Sequence, residues 1–315
     1  TYQTVYIHFG VNYSCNSDSK ETRQESSNVD SAAMAIEKGR YLAYYVSGCI
    51  DCHSHRDFNQ FSGPVVSGTE GMGGEVFDDK MGVPGVVFAR NITPDTATGI
   101  GNWTDDEIAL AITKGISKRG DSLFPIMPYM HYNNMTQEDV YNIIAYIRTL
   151  KPINEKNKER KLFIPMAAAY PPLQNNGLAN NSKPPVSDMT AYGGYMVSAA
   201  ACMDCHTPMD KGQFVMEKMF AGGFAFDMGK FKVVSANITP DSTTGIGKWT
   251  EAMFVEKFKS YKDPVNIRTD PGKKNSIMPW SLYAQLEEFD LKAMYRYLRT
   301  VKPVQHAVVK HPGVE

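Results

Sequence analysis

Cys49-Ile50-Asp51-Cys52-His53 returns as Cys202-Met203-Asp204-Cys205-His206, and the reading of this C-x-x-C-H stretch decides the rest of the chain. On a helical turn, positions i, i+3 and i+4 share a face. Two thiols can then add to the vinyl groups of one porphyrin while the next residue turns its imidazole onto the iron, the attachment pattern of c-type haem. Other chemistries also use paired cysteines. A thioredoxin-like redox pair needs no trailing histidine, and a structural zinc would have to pool ligands from both stretches. Two occurrences in matching surroundings predict two haem c groups with iron, one on Cys49, Cys52 and His53 and one on Cys202, Cys205 and His206.

The surroundings match in order. Asn91-Ile-Thr-Pro-Asp-Thr-Ala-Thr-Gly-Ile-Gly-Asn-Trp103-Thr104 recurs as Asn237-Ile-Thr-Pro-Asp-Ser-Thr-Thr-Gly-Ile-Gly-Lys-Trp249-Thr250. Agreement in a loop rich in Pro and Gly means that the backbone path is repeated. Each block introduces a helix; Thr104 with Glu107 makes a capping box, and the second copy has Met253 in place of the acid. Ile126-Met127-Pro128-Tyr129 and Ile277-Met278-Pro279-Trp280 follow, then amphipathic helices over 136–150 and 287–301 that run out at Pro152 and Pro303. A further helix leads into each motif, carrying Gly39 in one copy and Gly193-Gly194 in the other. Glycine inside a helix costs about 1 kcal/mol, which close approach of another helix would offset. Residues 54–90 read as a loop or short hairpin, and Gly71-Met72-Gly73-Gly74 as tight turns rather than a phosphate loop.

The totals agree with two units. At about 150 residues per domain, 315 residues give two, each small enough that a buried porphyrin would supply much of its core. The predicted organisation is an N-terminal strand and tether (1–30), a first domain (31–152), a linker (153–187), a second domain (188–303) and a C-terminal tail (304–315). The formal net charge of −1 gives no electrostatic footprint for nucleic acid. No apolar run approaches the ~20 residues of a membrane span, and the N-terminus lacks the basic start of an export signal.

The N-terminus stands apart. Val5, Ile7, Phe9, Val11 and Tyr13 alternate with Tyr6, His8, Gly10 and Asn12, the period of a strand with one apolar face. Such a strand needs a sheet edge to join, in this chain or another. Head-to-tail repetition of that contact would build a filament, a homo-oligomer in which His8 would come within reach of a neighbour's iron. Cys15, the only cysteine outside the motifs, reads as a lipid anchor, an intermolecular disulfide or an idle thiol.

The second axial position is the open chemical question. Methionine is abundant at 17 residues and usually fills cores. Met127 and Met278, however, stand at the same distance before Arg148 and Arg299, and each precedes a proline. They are the predicted sixth ligands, with His131 the rival in the first copy.

These motifs carry a resemblance over about 31–303. Each half resembles a class I cytochrome c domain, and the pair is similar to the cytochrome subunits of membrane-associated bacterial alcohol and gluconate dehydrogenases. Those subunits carry three haems where this chain has two motifs. The resemblance implies a mainly α fold, two tandem class I cytochrome c domains with short β or loop insertions and the N-terminal extension. It implies a periplasmic or extracellular setting, with membrane association through a partner or through Cys15. It also implies that Trp103 and Trp249 donate to haem propionates, with Arg90 a second contact; simple core packing is the alternative for both tryptophans.

The function expected is electron relay between a dehydrogenase or quinol donor and an oxidase or another cytochrome, without catalysis of its own. A filament joined through residues 1–14 and a dihaem peroxidase are the alternatives, the latter requiring an iron open to peroxide.

Overall fold

The computed structural model describes residues 30–171, 173, 174 and 177–314. The strand expected over residues 1–14, His8 and Cys15 lie outside the described residues. The fold is mainly helical, with little sheet.

Helix α1 (30–40) continues into a π-helical turn, Tyr41–Val46, and stops before α2, Cys49–Cys52. A short antiparallel hairpin follows, β1 (Val76–Phe77) against β2 (Gly85–Phe88), as the Gly and Pro punctuation predicts. Helix α3, Asp105–Lys114, starts from Thr104, whose hydroxyl accepts from the Glu107 amide while the Glu107 carboxylate accepts from the Thr104 amide. After the short α4 (Tyr129–Tyr132), helix α5 (Gln137–Ile147) closes the N-terminal half under a Thr136 cap. Part of the expected linker is built into this half: Lys161–Leu162 (β3) pairs with β2, and Ile153 accepts a hydrogen bond from Asn91. A helical turn, α6 (Met166–Ala169), follows.

The C-terminal half runs through α7 (Met189–Ala199), α8 (Cys202–His206) and the ribbon β4 (Met209–Asp210) with β5 (Gln213–Phe214). Hairpin β6 (Ala225–Asp227) with β7 (Lys232–Val234), helix α9 (Glu251–Lys259), α10 (Trp280–Tyr283) and α11 (Glu288–Leu298) complete it. Thr250 caps α9 through the Met253 amide alone, as expected without an acidic partner.

Two helix crossings set the frame. A Cβ on Gly39 would stand 1.7 Å from the Asn142 carbonyl oxygen, and one on Gly193 would stand 1.9 Å from that of Ala293. Thus α1 lies directly on α5 and α7 on α11, the close approach for which interior glycine is needed. The loops 91–103 and 237–249 share their hydrogen bonds. Asn91 accepts from the amide and hydroxyl of Thr93 and donates to Thr98 and Ile153; Asn237 does the same with Thr239, Thr244 and Val304. Arg148 donates to the carbonyls of Ile100 and Trp103, and Arg299 to those of Ile246 and Gly247.

The halves meet in a crossed contact. Tyr41 donates to Asp290 at 2.5 Å and accepts from the Glu287 amide; Tyr195 donates to Asp139 at 2.5 Å and accepts from the Thr136 amide. Each half therefore offers a tyrosine from its entry helix to the first turn of the other's closing helix. The π-helical turn adds the residue that brings Tyr41 into this position, since Tyr41 is one place further from its motif than Tyr195.

Candidate haem sites

Both motifs are launched from a left-handed residue, Gly48 at φ 61° and Ala201 at φ 48°. Glycine takes this conformation without strain, whereas alanine crowds its Cβ against the carbonyl. In the turn that follows, the first cysteine of each motif is the more enclosed, Cys49 buried and Cys202 half-buried, while Cys52 and Cys205 are exposed. The histidine ring is then fixed from the far side. His53 Nδ1 lies 2.7 Å from the Arg90 carbonyl oxygen, and His206 Nδ1 lies 2.7 Å from that of Ala236. A carbonyl only accepts, so Nδ1 carries the proton and Nε2 keeps its lone pair for a metal. Burial holds both imidazoles below the ordinary histidine value, against the opposite pull of that carbonyl bond. The neutral form, the one that can ligate iron, is favoured.

Glycines bring those carbonyls into place. The Gly73 amide donates to the His53 carbonyl and the Gly222 amide to that of His206. At φ 77° and 70°, each has a backbone so close to the returning strand that a Cβ would stand within 2.6 Å of it. The Gly71–Gly74 cluster accordingly forms the expected tight turns, with positive φ at Gly71, Gly73 and Gly74.

In the C-terminal half an apolar cavity of about 50 Å³ is lined by Cys202, His206 and Met278, with Ile238, Phe254, Tyr283 and Leu286 among its other walls. A thiol, an imidazole and a thioether thus face one space with otherwise nearly apolar walls. This donor set fits a covalently attached, axially ligated haem. In the N-terminal half Ile108, Tyr132, Met135 and Ile147 stand at the places of Phe254, Tyr283, Leu286 and Leu298; all four are buried in the apolar cluster that Met127 packs against. Burial pushes the thiols of Cys49 and Cys202 up to about 12, which keeps them from the thiolate that a redox pair uses. Among the described residues no group of three or more His, Cys, Asp or Glu is placed to hold a metal ion.

His131, the rival ligand, is engaged elsewhere: its Nε2 lies 2.6 Å from Asp204 in the second motif. Arg90 directs its guanidinium to the Lys158 carbonyl and the Glu159 carboxylate, while its own carbonyl orients His53. Trp103 and Trp249 are half-buried against the apolar cluster.

Three residues escaped the sequence reading. Tyr132 and Tyr283, each five places after its methionine, donate to the carbonyls of Ser47 and Ala200, two places before the first cysteine of each motif. They tie the methionine turn to the haem-attachment turn, and their equal spacing was the available signal. Arg56 pairs with Asp51 at 3.0 Å, with only 7% and 8% of the two side chains exposed. Burial nevertheless pushes the Asp51 carboxyl up to about 6 against that pull. Desolvation pushes the Cys52 thiol up, with Asp51 and, from the second motif, Cys205 adding to it.

Comparison with known proteins gives the class. No protein-family model matches the chain. The cytochrome c subunit of a quinone alcohol dehydrogenase from Gluconobacter oxydans is 27% identical over 286 residues, covering 87% of this chain and 56% of that protein. The fructose dehydrogenase cytochrome subunit of Gluconobacter japonicus is 30% identical over 275 residues, 85% of this chain and 52% of that subunit. A diheme cytochrome c-type protein of Cereibacter sphaeroides is 23% identical over 267 residues, 83% of this chain and 84% of its own. The chain spans little more than half the length of the dehydrogenase subunits. It is homologous over most of its own length to cytochrome c proteins, as the motifs led one to expect. Their names carry the same cofactor as the two motifs, haem c with its iron.

Proposed function

We propose that the chain is an electron-transfer subunit built from two tandem cytochrome c domains, each carrying one haem c. Cys49, Cys52, Cys202 and Cys205 hold the porphyrins; His53 with Met127, and His206 with Met278, fill the axial positions. The observation that carries this reading is the apolar cavity onto which Cys202, His206 and Met278 converge, with the His206 ring locked from behind. When bound, haem supplies one-electron chemistry at iron. The residues orient the imidazole, keep water from the apolar face and close the sixth position, which favours relay over substrate chemistry; methionine in that place also raises the potential.

Trp103 and Trp249 are assigned to the propionate edges, and Arg90 would have to leave Glu159 to join them. A dehydrogenase upstream and an oxidase or further cytochrome downstream are the partners, in a periplasmic setting. No helix among the described residues is long and apolar enough to cross a membrane; a partner and Cys15 are the two routes to membrane association in this reading.

Met127→Ala and Met278→Ala test the reading. Each should abolish the ferric sulfur-to-iron charge-transfer band of one haem and open that iron to added imidazole. An unchanged spectrum in either variant refutes that ligand, and rapid peroxide turnover by the half-reduced protein refutes the carrier role in favour of a peroxidase.

A further inference from the structure

The turn that bears Met278 is held by the other half of the molecule. Ser62 is fully buried and left-handed at φ 71°. Its hydroxyl donates to the Met278 carbonyl at 2.5 Å and accepts from the Trp280 amide at 2.8 Å. Its amide donates to the Asn275 side chain at 2.9 Å, and that side chain donates in turn to the Phe58 carbonyl at 3.0 Å. Arg56 donates to the Ile277 carbonyl at 3.1 Å and to the Ser62 carbonyl at 2.7 Å, while pairing with Asp51 inside the first C-x-x-C-H. Polar backbone atoms on both sides of the methionine thus end on residues 56–63.

The Met127 turn is held differently. The Met127 amide donates to the Phe124 carbonyl and the Met127 carbonyl accepts from the Tyr129 amide, both within its own half. The Met278 turn has matching local bonds, its amide donating to the Ser276 hydroxyl and its carbonyl accepting from the Trp280 amide, and the bonds from Arg56 and Ser62 are added to these. Its link across the interface is the His131–Asp204 pair, four residues further on. The reason lies in the sequence: after His206 the chain goes into the β4–β5 ribbon, without an equivalent of Arg56 or Ser62.

We propose that Arg56 and Ser62 are positioning residues that hold Met278 on the second iron, so that axial ligation in the C-terminal half depends on a clamp supplied by the N-terminal half. The clamp rests on the His/Met reading above. A thioether is a weak ligand, kept in place by the backbone that presents it, and loosening that backbone lets an exogenous ligand compete. Because Arg56 also grips Asp51, the first haem's attachment turn and the second haem's sixth ligand belong to one hydrogen-bonded unit.

The test uses the full, haem-loaded chain. Ser62→Gly keeps the left-handed backbone and removes the hydroxymethyl group that makes both bonds. Arg56→Lys keeps a charge opposite Asp51 and removes the fork that reaches Ile277. Imidazole affinity and midpoint potential are read at each iron, with Met127→Ala and Met278→Ala identifying which signal belongs to which haem. The expected result is an imidazole affinity at the second iron raised about tenfold, the equivalent of one lost hydrogen bond. Its potential falls and its charge-transfer band weakens, while the first haem's band and potential hold. If Met278→Ala leaves the band intact, the ligand reading fails and the clamp with it. If Met278 is the ligand and either variant leaves the second iron's affinity within about twofold of the parent, the clamp alone is overturned. Equal weakening at both irons would mean general loosening and would also overturn it.

Discussion

After His53 the N-terminal half makes a long Gly- and Pro-rich excursion before Gly73 returns to the histidine carbonyl, whereas after His206 a two-stranded ribbon spans the interval to Gly222. The two routes end alike: a glycine amide on the histidine carbonyl, and a strand-end carbonyl on Nδ1. What presents the imidazole is therefore insulated from the loop between. The loop is free to act on the neighbouring half, and only the first does so through Arg56 and Ser62. The charge beside each motif differs with it. Asp51 is buried against a guanidinium, while Asp204 keeps 28% of its side chain exposed beside His131.

Substitutions at matched positions measure how far the likeness extends. The largest effect is expected at the helix crossings. Gly39→Ala and Gly193→Ala each drive a methyl group into a backbone carbonyl and should cost about 3 kcal/mol in urea unfolding. Similar losses would make the crossings equivalent; a loss under about 1 kcal/mol at either would show that its helices can separate without penalty.

The interface carboxylates come next. Asp139→Asn and Asp290→Asn should each cost about 1.5–3 kcal/mol. Burial works against the Asp139 carboxylate, but bonds from Lys183 and Tyr195 and the charges of Lys183 and Lys38 hold it below its ordinary 3.8. Its contribution is therefore present in full above that value and is lost as pH falls through the lower, folded value. Unfolding curves taken from about pH 5 downward should lose this contribution in the parent and show none to lose in Asp139→Asn. Parallel curves for the two proteins would remove Asp139 from the interface account.

The smallest effect separates the two caps. Thr104→Ala, which breaks a reciprocal capping box, should cost about 1 kcal/mol, and Thr250→Ala, which removes a single bond, about half as much. Equal losses would mean that Glu107 adds nothing to the first cap.

Much of this was legible in the chain because its signals are local. Thr104 with Glu107, the prolines after Met127 and Met278, and the glycines on α1 and α7 each report a constraint met within a few residues or by one neighbouring backbone. The histidine–carbonyl bonds were not legible, since a carbonyl at residue 90 or 236 looks like any other in sequence. Nor was the place of Ile153 to Leu162, whose charged composition reads as linker although β3 joins β2.

The sequence by itself determined the cofactor chemistry and the positions that repeat, because C-x-x-C-H spacing and turn-forming residues act through covalent geometry and backbone dihedrals. Only the tertiary structure decided which half holds which methionine turn and how the two motifs face one another. Those outcomes depend on a π-helical turn that shifts Tyr41 by one residue and on a buried serine whose partners lie more than two hundred residues away. No local pattern encodes a contact of that range; it exists only once both halves have folded and met.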